Sequence, residues 1–352
     1  MLQAKTQKLT LQFKRPSGTS RGVLTTKESW LLIIWDDATP AIKGIGECAL
    51  LKGLSIDDRP DYEEKLKDVC ANINNYEHLL DDELQIYPSI HFGLEMALKD
   101  LAAKGSKELF PSSFTQGTDS IQINGLIWMG EADFMRQQIR EKLELGFSCI
   151  KLKIGAIDFE KELELLRSIR QEFSSDVIEL RVDANGAFAP ENALEKLKRL
   201  SEFELHSIEQ PIATRQWEEL AQLCQKTPLP IALDEELIGI FTATDKTQLL
   251  STIQPQYIIL KPSLIGGFKG STEWIEIAEE HSIPWWVTSA LESNIGLSAI
   301  AQWTYTLDNH MPQGLGTGQL YTNNIPCPLK LSGDQLYYSE ENEWELPAFT
   351  IN

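Results

Sequence analysis

The sequence has no long apolar run. The longest, Trp30 to Trp35, is far shorter than the roughly 20 residues that cross a bilayer. The opening stretch, Met1 to Lys14, alternates lysine, glutamine and leucine without the apolar centre of a secretory leader. Cysteine is scarce: Cys48, Cys70, Cys149, Cys224 and Cys327 are odd in number and show no CxxC spacing. This argues against a disulfide framework or a zinc site, and for reduced thiols in a cytoplasm. The five histidines (His78, His91, His206, His281, His310) have no metal-cluster spacing either. Positive charge is in deficit, with 32 Lys and Arg against 52 Asp and Glu and a net charge of −20. Such a surface disfavours nucleic acid and anionic membranes as partners. An anionic ligand would need local cations or a bound metal. What remains, 42% hydrophobic and 24% charged, suffices for a large core in one or two domains. Nothing in it fixes an oligomeric state.

The first 115 or so residues read differently from the rest. Lys8–Lys14 and Trp30–Asp36 have strand patterns, separated by a turn-rich segment with two arginines, Arg15 to Gly22. A second loop runs through Leu50–Leu54. In Ser89–Lys104, Ile90, Leu94, Ala97 and Leu101 share a helical face, and Gly105 stands where a helix would stop. Strands followed by helices predict an α+β unit. Beyond residue 120, strand and helix patterns alternate. Strands are expected at 121–127, 149–154, 178–183, 206–211, 230–235, 257–262, 285–289 and, briefly, 314–318. Eight such strands suggest a (β/α)₈-type barrel, although a doubly wound sheet gives similar alternation.

Three acids close three consecutive strands: Asp183 in Arg-Val-Asp-Ala-Asn, Glu209 in Ser-Ile-Glu-Gln-Pro and Asp234 in Ala-Leu-Asp-Glu. Successive acids lie one β/α unit apart, so each falls at the same height, the C-terminal mouth of a barrel. Taken singly, each is as well read as a helix cap or loop charge. Together they would repel strongly, and Mg²⁺ is the hard, oxygen-seeking ion that relieves such a cluster. Lysines flank them. Lys151 and Lys153 alternate with apolar Ile150, Leu152 and Ile154, which places both lysines on the inward face. Lys261 ends the strand after Asp234. Lone surface lysines would simply snorkel. Inward lysines beside a metal and each other are expected to have lowered pKa values and to serve as acid/base groups.

Lys-x-Lys, Asp-Ala-Asn, Glu-Gln-Pro, Asp-Glu and Lys-Pro-Ser, in this order and spacing, resemble the muconate-lactonizing-enzyme subgroup of the enolase superfamily over nearly the whole chain. The resemblance implies a (β/α)₇β TIM-like barrel at 116–318. It also implies an α+β capping domain at 1–115, to which the segment 319–352 returns. It implies that Asp183, Glu209 and Asp234 bind Mg²⁺, that Lys153 and Lys261 form the acid/base pair, and that Lys151 supports Lys153. Thr19–Gly22, Gly46–Ala49 with Gly53–Ser55, and Thr288–Leu297 resemble the o-succinylbenzoate synthase branch. That branch implies syn dehydration of a small cyclohexadiene carboxylate bearing a succinyl chain, with Ser289 and Gly314 as contacts for its second carboxylate. Pro16–Gly22 and Leu50–Leu54 would then cover the substrate, and Arg15 or Arg21 could reach its charge. Rival implications are an N-succinylamino acid racemase, a dipeptide epimerase, a muconate cycloisomerase, or a non-catalytic binder on the same fold. Dipeptide epimerases carry Asp-x-Asp at the last strand to pair an ammonium, whereas this chain has Gly314-Leu-Gly-Thr-Gly318.

Overall fold

The computed structural model describes residues 1–19, 22–128, 131–339 and 341–346. Ser20 and Arg21, from the arginine-bearing segment above, lie outside the described residues. Strands β1 (Leu2–Thr19) and β2 (Gly22–Asp36) form a long antiparallel hairpin, and β3 (Gly44–Cys48) adds to β2. The segment read as a turn-rich loop is therefore mostly strand. Pairing resumes at Ser17↔Leu24 after an irregularity beyond Gln12↔Thr26, because ladder bonds satisfy backbone groups that a loop would leave to water.

The helix Pro88–Ala102 packs on this sheet through Ile90, Leu94 and Ala97, the face read from the sequence. Two glycines allow the approach. A Cβ at Gly44 would stand 2.0 Å from the Ala97 carbonyl oxygen, and one at Gly46 1.9 Å from that of Gly93. Strand and helix backbones are in direct contact, which only glycine permits. Beyond the helix, Lys104 and Gly105 both adopt positive φ, the stop expected of Gly105.

The expected first barrel strand is divided. Its first half, β4 (Ser120–Gln122), joins an antiparallel sheet with a C-terminal hairpin that is described below. Its second half, β5 (Gly125–Ile127), begins a parallel sheet that continues through β6 (Cys149–Lys153), β7 (Glu179–Asp183), β8 (Ser207–Glu209), β9 (Ile231–Leu233), β10 (Tyr257–Leu260) and β11 (Trp285–Val287). The chain switches partner between β4 and β5, where Ile123 N donates to Asp334 O and Asn124 N to Gln313 O. Closure is made by two residues: Gln313 bridges Ile123, and Gly314 bridges Thr288, both in parallel sense. This seam settles the choice left open by alternation, in favour of a (β/α)₇β barrel. The eighth strand does not extend to Gly318, because Gly316–Gln319 turns into a 3₁₀ helix. Glycines at 314, 316 and 318 supply no side chains to pack a longer strand.

Outward-facing Ile150, Leu152, Ile208, Leu233 and Leu260 form one core with the surrounding helices. Ala232, Ile259 and Trp286 fill the lower interior, and above them the barrel becomes polar. The C-terminal hairpin, β12 (Leu329–Ser332) and β13 (Gln335–Tyr338), pairs through β13 with β4. Trp344 and Leu346 then pack against Leu31 and Ile33 of β2. Among the described residues, no helix is long and apolar enough to cross a membrane.

Candidate active site

The register of three adjacent strands puts the charged residues side by side: Lys153 is opposite Asp183, and Asp183 is opposite Glu209. Asp234 follows β9 directly, and Lys261 follows β10. All three acids are buried. Lys151 contacts Glu209 and lies 3.1 Å from Asp183 Oδ2. Lys153 Nζ donates to Asp183 Oδ2 and to Asn185 Oδ1, both at 2.9 Å. Lys261 Nζ donates to Asp234 and stands 3.8 Å from Glu209 Oε1. The structure therefore brings the three acids and three lysines of the sequence reading into one cluster at the barrel mouth. Lys153 belongs to the second strand of the barrel and Lys261 to the sixth, so the two reach the cavity from opposite sides.

Among these acids alone, without the cation beside which lowered values were expected, the pKa values of Lys151 and Lys261 both lie above the ordinary lysine value. Burial does penalise each ammonium, but attraction outweighs it: to Asp183, Glu209 and Asp234 for Lys151, and chiefly to Asp234 and Glu209 for Lys261. The acids respond unequally. Asp183 is buried but held well below the usual carboxylate range by Lys151, Lys153 and Lys261. Glu209 is pushed up by burial and by Asp183 and Asp234 on either side.

The donor set suits a hard cation. Oxygens of Glu209, Asp234 and Glu235 lie within 4.8 Å of one another. Glu209 Oε1 is buried and accepts no hydrogen bond from the described residues, leaving an all-oxygen cluster with an unused acceptor. The grouping differs from the expected Asp183, Glu209 and Asp234. Asp183 adjoins it through the shared Lys151, and Glu235 is an addition.

Backbone strain collects here. Asn185 and Gln210, just after Asp183 and Glu209, adopt φ of 43° and 38°. Both are pinned: Asn185 N donates to Asp183 Oδ1 (2.9 Å), and Gln210 Nε2 donates to Ile212 O and Glu236 Oε2 (both 3.1 Å). Asn185 Nδ2 also donates to Glu235 Oε1 at 2.8 Å. That bond fixes the amide so that its oxygen faces Lys153. Sequence reading quoted Asn185 and Glu235 inside their motifs without assigning either, because only the fold shows that they meet.

One cavity joins this cluster to the last strands. Lys151, Lys153, Asn185, Glu235 and Lys261 line one end, and Ser289, Gly314 and Thr317 the other. Leu24 and the loop Leu51–Leu54 cover it from the N-terminal unit. Ser289 Oγ meets Thr317 Oγ1 at 2.6 Å, a partner that no local motif announced. Gly314 faces Thr288, whose Oγ1 a Cβ would meet at 2.1 Å. Arg15 lines a neighbouring cleft with Lys14 and Lys142. His206 stacks on Tyr257 below the mouth, with ring centroids 4.8 Å apart.

Comparison with known proteins agrees with this geometry. Residues 134–333 match the family described as enolase C-terminal domain-like. The chain is 50% identical to an o-succinylbenzoate synthase of Desulfotalea psychrophila, covering 93% of this chain and 96% of that protein. It superposes on the crystal structure of MenC from Desulfotalea psychrophila with a TM-score of 0.83 and 46% identity, covering 96% of this chain and 99% of the other. An N-succinylamino acid racemase of Amycolatopsis is 26% identical, covering 91% of this chain and 88% of that protein. A mouth of buried acids and opposed lysines, on a closed barrel whose sequence matches over most of its length, places this chain in the enolase superfamily.

Proposed function

We propose that this chain is an o-succinylbenzoate synthase, a carbon–oxygen lyase. Its reaction converts 2-succinyl-6-hydroxy-2,4-cyclohexadiene-1-carboxylate to 2-succinylbenzoate and water, in a cytoplasmic step of menaquinone biosynthesis. The observation that carries the reading is the pair of lysines on opposite sides of one acid-lined cavity, in a chain half identical to a synthase of that name.

Asp183, Glu209 and Asp234 would hold Mg²⁺, with Glu235 beside them. Bound there, the ion supplies positive charge next to the substrate carboxylate, where negative charge grows as the α-proton leaves. Lys153 takes that proton: the C–H bond breaks and its electrons spread onto the carboxylate oxygens, leaving a planar anion. Those electrons then return to form the new ring double bond as the C–O bond breaks, its pair leaving with the hydroxyl oxygen, and Lys153 gives its proton to that oxygen, releasing water. One residue can do both because syn elimination presents both groups on one face. Asp183 and Asn185 already accept hydrogen bonds from Lys153, so they stabilise the ammonium formed midway. Lys261 stays cationic on the opposite face and stabilises the planar anion, aided by attraction to its π-system. Lys151 acts through the acids it touches. Ser289 and Gly314, at the far end, suit the succinyl carboxylate. Among the described residues no acid lines that end, so a free substrate ammonium finds no partner among them.

The test is an absorbance assay of purified protein with Mg²⁺ and the cyclohexadiene substrate, run beside N-succinyl amino acids and dipeptides. Dehydration is expected to be the fastest reaction. A dipeptide or N-succinyl amino acid turned over as fast or faster would replace this reading.

A further inference from the structure

Away from the lysine–acid cluster, a second set of buried charges joins the N-terminal sheet to the barrel. Glu47 on β3 is fully buried. Its Oε1 accepts hydrogen bonds from Ser29 Oγ (2.7 Å) and Ser293 N (3.0 Å). Its Oε2 accepts from Ser293 Oγ (2.6 Å) and Gly296 N (3.0 Å). Lys27 Nζ donates to Ser29 Oγ at 2.6 Å and lies 3.8 Å from Glu47 Oε1, which balances the charge. Ser293 is the N-cap of the barrel helix Asn294–Thr306. A carboxylate from the covering unit thus sits on the first turn of a barrel helix, where free N–H groups and the helix dipole favour an anion.

The residues just before this cap, Ser289 to Leu291, form a wall of the cavity. They hold an unusual backbone, with Leu291 at φ 66°. Glu292 ties the same wall inward, accepting from Ala290 N (2.7 Å) and from Ser263 Oγ (2.5 Å).

We propose that Glu47 is a positioning residue for substrate, acting through Ser293 to fix the Ser289–Leu291 wall; this rests on the dehydratase reading above. The argument is stereochemical. Hydroxyl groups can rotate to suit a new partner, but backbone N–H groups cannot. The two carboxylate oxygens of Glu47 each receive one such N–H, from Ser293 and from Gly296. Glutamine has the same size but must aim its own NH₂ at one of those donors. Glu47→Gln therefore loses a fixed bond and removes the larger of the two carboxylate attractions on Lys27, leaving that of Glu292. The wall follows β11, whereas Lys153 ends β6, three strand positions away around the closed barrel, so its displacement weakens binding of the succinyl arm and spares proton transfer.

The test uses the full chain with Mg²⁺, as Glu47→Gln and as Ser293→Ala. In Glu47→Gln, amide hydrogen exchange over residues 289–296 should rise about tenfold while β6 to β10 stay protected. KM for the cyclohexadiene carboxylate should rise about tenfold with kcat within about threefold. Ser293→Ala removes one of the four bonds and should move both readings the same way by a smaller factor. If Glu47→Gln does not fold, Ser293→Ala decides. Unchanged exchange over 289–296, or a fall in kcat at constant KM, overturns the proposal. Exchange is read without turnover, so a wild-type chain unable to dehydrate the substrate defeats the functional reading separately.

Discussion

Lys153 and Lys261 differ in what holds them, and that difference gives the residue-scale predictions. Lys153 is shared between a carboxylate and the oriented oxygen of Asn185, whereas among the described residues Lys261 donates only to Asp234. Lys153→Ala should lower kcat by about 10²- to 10⁴-fold, the range for loss of a general acid/base. Mg²⁺ binding, measured by calorimetry, should persist because no acid has been removed. A Lys153→Ala protein with full kcat and bound metal would refute the assignment. Glu209→Gln should have the opposite profile: weaker Mg²⁺ binding first, with lost turnover following from it. It removes an acid that contacts both Lys151 and Lys261.

Among the elements, the contact of β3 with the helix Pro88–Ala102 is the least forgiving. Gly46→Ala would drive a Cβ into the Gly93 carbonyl, and backbone cannot step aside as a side chain can. The sheet must separate from the helix, with a loss of about 1–3 kcal/mol as for an overpacked core. Denaturant titration should show the midpoint falling at unchanged slope. The helix Gly267–Glu280 carries a pH-dependent contact. Glu95 accepts from Phe268 N (2.6 Å) and Lys269 N (3.1 Å) at its first turn. Burial nevertheless pushes the carboxyl from 4.5 up to about 7, despite those bonds and the pull of Lys99 and Lys269. A carboxyl with a raised folded pKa binds more protons when folded than when unfolded. Its contribution therefore falls as pH climbs from about 4.5 to about 7 and is level above that. The full change is roughly 3 kcal/mol. Glu95→Gln should flatten this part of the stability–pH curve, and melts between pH 5 and pH 8 measure it. An unaltered curve would place the titration elsewhere.

The whole molecule carries a net charge of −20 and collects three buried acids with a fourth beside them at one mouth. Such a site should depend on its cation. EDTA should abolish turnover and Mg²⁺ restore it. Added Mg²⁺ should also raise the melting temperature, because the ion binds the folded chain and not the unfolded one. A protein whose turnover and melting temperature ignore both additions would have no metal at this mouth.

By itself the sequence determined the periodic features. Alternation at Lys151 and Lys153, the regular interval between Asp183, Glu209 and Asp234, and the Ile90–Leu101 helical face are local properties, set by strand and helix geometry. They were enough to place six charged residues at one rim. Tertiary structure decided what depends on partners distant in the chain. Gln313 and Gly314 close the barrel with one bridge each, too short to leave a strand pattern. Asn185 gains its orientation only because Glu235 arrives from two strands away. Ser17 to Thr19 and Gly22 have turn composition yet pair as strand, since the hairpin ladder outweighs local preference. The pull of the acids on Lys151 and Lys261 is of the same kind: burial was legible in the pattern, but the sum of attractions from the carboxylates exists only once the strands stand side by side.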